Sequence, residues 1–209
     1  MNSKPASGRL KKIISFLKEA EKMKSVERIA CLRGGKRREN DAEHSWHLAL
    51  MVITFEKELE IDFDVGKALK LTAVHDLLEI YCGDCWSANE KEKKEKKKRE
   101  LQAAEKTFAL LPSDLATEFR ALWDEYEAGE TTEAKIVKAL DKICYPLQYG
   151  ISEKIVYYPE NESAWGERMA YAMPRCKFSP VLTEVLEQLL DELHAMKLEC
   201  VHPDEFERE

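Results

Sequence analysis

Apolar positions recur along this chain at three- and four-residue intervals, the spacing of one helix face after another. Leu10, Ile13, Ile14 and Leu17 predict an opening amphipathic helix. The basic stretch Arg28 to Arg38 breaks the pattern at Gly34-Gly35 and reads as a loop. Asn40, with Glu43 three residues later, forms a capping box. The helix it starts carries His44, Leu48, Met51 and Phe55 on one face. Asp64 caps a central helix that Gly83 ends. Leu71, Val74, Leu77, Leu78, Ile80 and Tyr81 leave that helix no wide polar face, which places it in the core.

Lys91 to Glu100 reads as a solvated helix start with Glu92–Lys96 and Glu95–Arg99 pairs, or more sharply as a guide for an anionic ligand. Leu101, Ala104, Phe108 and Leu111 carry that helix on to Pro112. Ser113 caps the next, with Leu115, Phe119, Leu122 and Tyr126 inward, ending near Gly129. Thr131 or Thr132 caps a helix bearing Val137, Leu140, Asp141 and Cys144, which Pro146 and Gly150 end or kink. A short helical piece from Trp165 to Ala172 comes before Ser179-Pro180, a cap with proline at the first helical position. The last stripe is Leu182, Val185, Leu186, Leu189, Leu193 and Met196, and the charged tail from Pro203 reads as frayed. With no period-two strand and no internal repeat, the expectation is an all-α fold. It is one domain over residues 1–209, with a core from about residue 9 to about residue 200.

Composition changes that picture little. The 209 residues, 44% hydrophobic and 35% charged, suffice for a core without disulfides. A formal charge of -7 argues against a nucleic-acid partner. Met1 to Gly8 is polar with no apolar core after it, and six cysteines lack a framework spacing, so a cytoplasmic protein with reduced thiols is expected. The run from Leu48 through Phe55 is too short to span a bilayer, so no membrane partner is expected.

The chemistry lies in polar residues on apolar faces. His44 sits in line with Leu48, Met51 and Phe55, while His47 lies at the edge of the same stripe. His75 and Asp76 interrupt the core helix, and Asp141 interrupts the face of Ala134, Val137, Leu140 and Cys144. One inward histidine is ordinarily a hydrogen-bonded core residue, and one inward aspartate a paired acid. Three such interruptions on three faces are better explained together, by one metal ion. Cys82-Gly83-Asp84-Cys85 has redox or zinc spacing but no second pair, and is taken as incidental.

The ordered set His44, His75-Asp76 and Asp141 resembles the H…HD…D metal set of the HD-domain phosphohydrolases. Glu43-His44-Ser45-Trp46-His47-Leu48-Ala49 and His75-Asp76-Leu77-Leu78-Glu79-Ile80-Tyr81-Cys82-Gly83-Asp84 are similar to the 5′-deoxynucleotidase branch. The resemblance runs from about Arg33 to Asp141, over half the chain. It implies an HD-domain helical bundle with peripheral helices that removes phosphate from deoxynucleoside 5′-monophosphates. In it His44, His75, Asp76 and Asp141 would bind one divalent transition metal ion, cobalt, manganese, iron, nickel or zinc. Glu79 would handle protons beside the bound water, Arg33 would contact the phosphate and Asp84 the sugar. Gly34 stands where some relatives carry a bulky aromatic, and Arg37 and Arg38 are alternative phosphate cations. The resemblance also implies a homodimer. Two rival readings stand beside it: a hydrolase of another small phosphate monoester, and a nucleotide-binding module without turnover.

Overall fold

The computed structural model describes residues 8–84, 90–156, 172–196 and 199–201. Helix α1 (Gly8–Ala20) leads through a 3₁₀ turn (Glu21–Ser25) into strands β1 (Glu27–Cys31) and β2 (Arg38–Asn40). Then come α2 (Asp41–Phe55), α3 (Val65–Val74), the short α4 (Glu79–Cys82), α5 (Glu90–Phe108), α6 (Ser113–Ala128) and α7 (Thr132–Ser152). Strand β3 (Lys154–Val156), helix α8 (Pro180–Ala195) and strand β4 (Glu199–Val201) complete the described elements. The domain is helical, as the spacing predicts. Helices α2, α3 and α7 pack on one another at its centre, with α6 against α3 and α7 and α8 against α7. Leu48, Val52, Leu71, Ile136, Val137, Leu140 and Ile143 fill the space between them, all fully buried. No helix among the described residues is long and apolar enough to cross a membrane.

Most predicted caps form. Asn40 accepts from the Glu43 amide while the Glu43 carboxylate accepts from the Asn40 amide. Asp64, Thr131 and Ser179 accept from Lys67, Ala134 and Leu182 in the same way. Gly83 follows α4 at φ 71°, a backbone conformation that favours glycine. Ser113 is not a cap: it is the first residue of α6, and Pro112 holds the cap position. Nor do Pro146 and Gly150 end α7, which continues through both to Ser152.

Two departures shape the site. The basic stretch is not a loop but an antiparallel hairpin, with Glu27 opposite Asn40 and Cys31 opposite Arg38. Its turn uses positive φ at Gly34 (79°) and Gly35 (62°). Its alternation is real, but the inward positions of β1 and β2 include Arg28 and Glu39, so hydropathy alone does not reveal it. A second, parallel pair joins β3 to β4. The central helix also breaks. His75 Nδ1 lies 2.8 Å from the Thr72 carbonyl, the oxygen that the Asp76 amide would use in a continuing helix. From there the bonds tighten to three-residue spacing, Leu77 to Val74, Glu79 to Asp76 and Tyr81 to Leu78. Glu79 therefore starts a new short helix rather than projecting one regular turn beyond His75. The expected helix at 165–172 and frayed tail from 203 lie, apart from Ala172, outside the described residues, as do Cys85 and His202.

Candidate metal centre

The four members of the predicted set come from three pieces of the central layer. His44 stands on α2 and Asp141 on α7, while His75 and Asp76 occupy the turn where α3 gives way. Packing α2, α3 and α7 together brings them to one point. His44, His75 and Asp141 are buried, and each offers a ligand atom within 4.8 Å of those of the other two. His44 Nε2 lies 3.1 Å from Asp141 Oδ1 and 3.8 Å from Asp76 Oδ2; His75 Nε2 lies 2.9 Å from Asp76 Oδ2.

Closeness alone does not make these contacts hydrogen bonds. Neither ring Nε2 has a partner of acceptable geometry, although both are buried. A buried, unbonded ring nitrogen is costly unless something else uses its lone pair. Donation from His75 Nδ1 to Thr72 would fix the tautomer that leaves Nε2 as an acceptor, the arrangement typical of metal-bound histidine. Tyr126 Oη (3.2 Å) and Lys142 Nζ (2.7 Å) both donate to Asp141 Oδ2, leaving Oδ1 turned toward His44. Two imidazole nitrogens with carboxylate oxygens at a buried point fit a divalent transition metal ion.

Burial and neighbouring charge oppose each other at several of these groups. Burial pushes His44 down to about 4, and Arg28 adds to that effect, so the ring is neutral at physiological pH. Burial pulls His75 down as well, but the charge of Asp76 outweighs it and the net shift is upward. Burial opposes ionisation of Asp76 and Asp141, yet His75 and Arg28 for the first, and Lys142 for the second, hold both well below the usual carboxylate range.

Beside this point lies a second group, Asp41, Asp76 and Glu79, whose oxygens also lie within 4.8 Å of one another. Arg28 ties it together, donating to Asp76 Oδ2 (2.8 Å), Asp41 Oδ1 (3.0 Å) and Tyr145 Oη (3.1 Å). Glu39 stands 3.7 Å from the same guanidinium. One arginine cannot neutralise so many acids. Burial, reinforced by Asp76, Asp84 and Asp41, pushes Glu79 up to about 12, and burial takes Glu39 and Asp41 to about 7. Asp41 Oδ2, Glu79 Oε2 and Asp84 Oδ2 are buried without a hydrogen-bond partner.

Sequence spacing missed Arg28, Glu39 and Asp41. The available signal was the alternation of β1 and the place of Asp41 at the start of α2, both masked by polar residues at inward positions. Arg33 is exposed in the hairpin turn and has no hydrogen bond or ion pair to the cluster among the described residues. Arg37, an alternative to it, is exposed and paired with Glu43 at 2.6 Å. His47 stacks on the exposed Trp46, away from the convergence point. Cys82 Sγ donates to the Leu78 carbonyl of its own turn.

Comparison with known proteins agrees with this geometry. The family model described as HD domain matches residues 20–163. The 5′-deoxynucleotidase HDDC2 of Homo sapiens is 33% identical over 148 residues, 70% of this chain and 71% of the relative. The enzyme of that name from Xenopus laevis is 35% identical over 149 residues, 69% of this chain and 72% of the relative. A solved structure from Magnetospirillum magnetotacticum MS-1, described as a predicted metal-dependent phosphohydrolase, superposes with a TM-score of 0.79 at 33% identity, covering 96% of this chain and 100% of that one. Matched over well more than half its length, the chain belongs to the HD-domain family.

Proposed function

We infer that this chain is a metal-dependent phosphohydrolase that removes phosphate from nucleoside 5′-monophosphates, with deoxy forms preferred. One observation carries the reading: two buried, unbonded ring nitrogens converge with the Asp76 and Asp141 carboxylates. Relatives named as 5′-deoxynucleotidases supply the substrate class.

We assign His44, His75, Asp76 and Asp141 as the ligands of one divalent transition metal ion. When bound, such an ion lowers the pKa of a water toward neutrality and offsets charge on phosphoryl oxygens. The chain's own residues supply the rest. Tyr126 and Lys142 keep Asp141 aimed at His44, and the Thr72 carbonyl orients His75. Arg28 offsets the charge of Asp76 and Asp41 and takes the phosphate-side role that the resemblance gives to Arg33. Glu79 handles the proton through Oε2, which is buried and unpartnered beside Asp76, and can pass it to the leaving nucleoside oxygen. Asp84 Oδ2, equally unpartnered, accepts from a sugar hydroxyl. A homodimer, as the family resemblance implies, working in the cytoplasm, as cysteines without a framework spacing suggest, completes the reading.

Release of phosphate from a panel of nucleotides, with each of several divalent metals added, tests it. The expected result is metal-dependent release from nucleoside 5′-monophosphates, fastest with deoxyribose. No release from any of them with any metal overturns it.

A further inference from the structure

The lysine run at the start of α5 looks uniform in sequence, but in the fold one lysine stands apart. Lys94, Lys97 and Lys98 are exposed, whereas Lys96 and Glu100 are half-buried. Among the described residues of α5, the buried ones are Ala103, Ala104, Thr107 and Phe108. Stepping back from them by three and four residues gives Glu100 and then Lys96, so both continue the inward stripe toward the start of the helix. Helix α4, which packs against α5, carries Glu79, with Asp84 just beyond it.

We propose that the Lys96 ammonium is a phosphate-binding group of this site, meeting the substrate's anion on its Glu79–Asp84 side. The proposal rests on the phosphohydrolase reading above and adds a residue to it. A phosphate approaching this side meets the acidic groups of Asp76 and Asp84, and Coulomb repulsion between partly buried charges is only weakly screened. Arg28 already donates to Asp41, Asp76 and Tyr145. Lys96 is less committed: its ion pair with Glu100 is 3.6 Å long, beyond hydrogen-bond distance. Burial would strip its proton, but the acidic groups around it outweigh burial and raise its pKa. A compact cation on a flexible stem suits a phosphate oxygen.

The test titrates inorganic phosphate by calorimetry and measures nucleotide kinetics on wild type, Lys96→Met, Lys96→Gln, Lys96→Arg and Lys97→Met. Lys96→Met and Lys96→Gln should each weaken phosphate binding and raise KM by about tenfold or more, the worth of one charge-assisted hydrogen bond. Their kcat should change less than about threefold, Lys96→Arg should recover part of the loss, and Lys97→Met should match wild type. Using both neutral variants guards against a folding defect in either. Equal losses in Lys97→Met would make this a diffuse field, and a fall in kcat at constant KM would make Lys96 a partner of Glu79; either result overturns the proposal. So does unchanged phosphate affinity in both neutral variants, or wild type that binds no phosphate. Phosphate binding that depends on Lys96, in a protein that hydrolyses no nucleotide, would instead overturn the function and leave this site standing.

Discussion

The two halves of the site are built differently. His44 and Asp141 stand on long helices, α2 and α7, and His75 is the residue at which α3 stops. All three are buried. Asp41, Asp76, Glu79 and Asp84 instead occupy a helix start, a turn, a four-residue helix and the bend after it, and the cation among them comes from a hairpin strand. In the first half, unbonded nitrogens wait for a partner in a place fixed by the core. In the second, like charges are held together by one arginine and by protonation. The first, with Asp76 reaching into it from the turn, is suited to hold an ion that stays, and the second to admit an anion that comes and goes.

The sharpest way to break that division is to remove a ligand from the first half. His75→Ala and Asp141→Ala should each abolish phosphate release and lower bound metal below stoichiometric content, measured by elemental analysis of purified protein. His47→Ala should keep both, since His47 stacks on Trp46 outside the cluster. Metal loss in His47→Ala with full occupancy in His44→Ala would exchange the two assignments.

Next in size is the chemical step. Glu79→Gln keeps shape and removes no proposed ligand, so metal content and nucleotide Kd should stay near wild type. Its kcat should fall by about 10²–10⁴, the usual worth of positioned proton transfer. Near-normal turnover would end the catalytic assignment and leave Glu79 as a hydrogen-bonding support.

Arg28 tests the second half through stability. Arg28→Met leaves Asp41 and Asp76 without their shared cation, and breaking a buried ion network commonly costs about 3–5 kcal/mol. Arg33→Ala, on an exposed turn, should stay within about 0.5 kcal/mol. Chemical denaturation of the two variants side by side gives the answer. Equal stabilities would mean that the acids manage without the arginine.

The same division governs what was legible in the sequence. The helices, most of their caps and the convergence of His44, His75-Asp76 and Asp141 follow from spacing, because a polar residue on an apolar face is conspicuous. Arg28, Glu39 and Asp41 were not legible. They sit on a short hairpin and at a cap, where an inward charge looks like an ordinary surface one until its neighbours are known. The break after α3 was hidden for another reason. Leu77, Leu78, Ile80 and Tyr81 suit a continuing helix, and the His75–Thr72 contact, which engages a carbonyl that helix would use, leaves no mark in hydropathy.

A matched pair of tyrosines offers the finest test. Tyr126 Oη donates to Asp141 in the first half, and Tyr145 Oη accepts from Arg28 in the second. Tyr126→Phe keeps the ring whose edge-to-face contact with His75 has a centroid distance of 5.3 Å, and deletes only the hydroxyl. Lys142 still holds Asp141 Oδ2 at 2.7 Å, so the loss should be modest, about tenfold in metal affinity, at the low end for residues that orient a ligand. Tyr145→Phe removes one of the three hydrogen-bond acceptors of Arg28. It should leave metal affinity unchanged, cost about 1 kcal/mol of stability and raise KM a few-fold as Arg28 loosens. Metal titrations and Michaelis constants on the two variants decide it. If both lose metal equally, ion and anion share one coupled network, and the two halves are one.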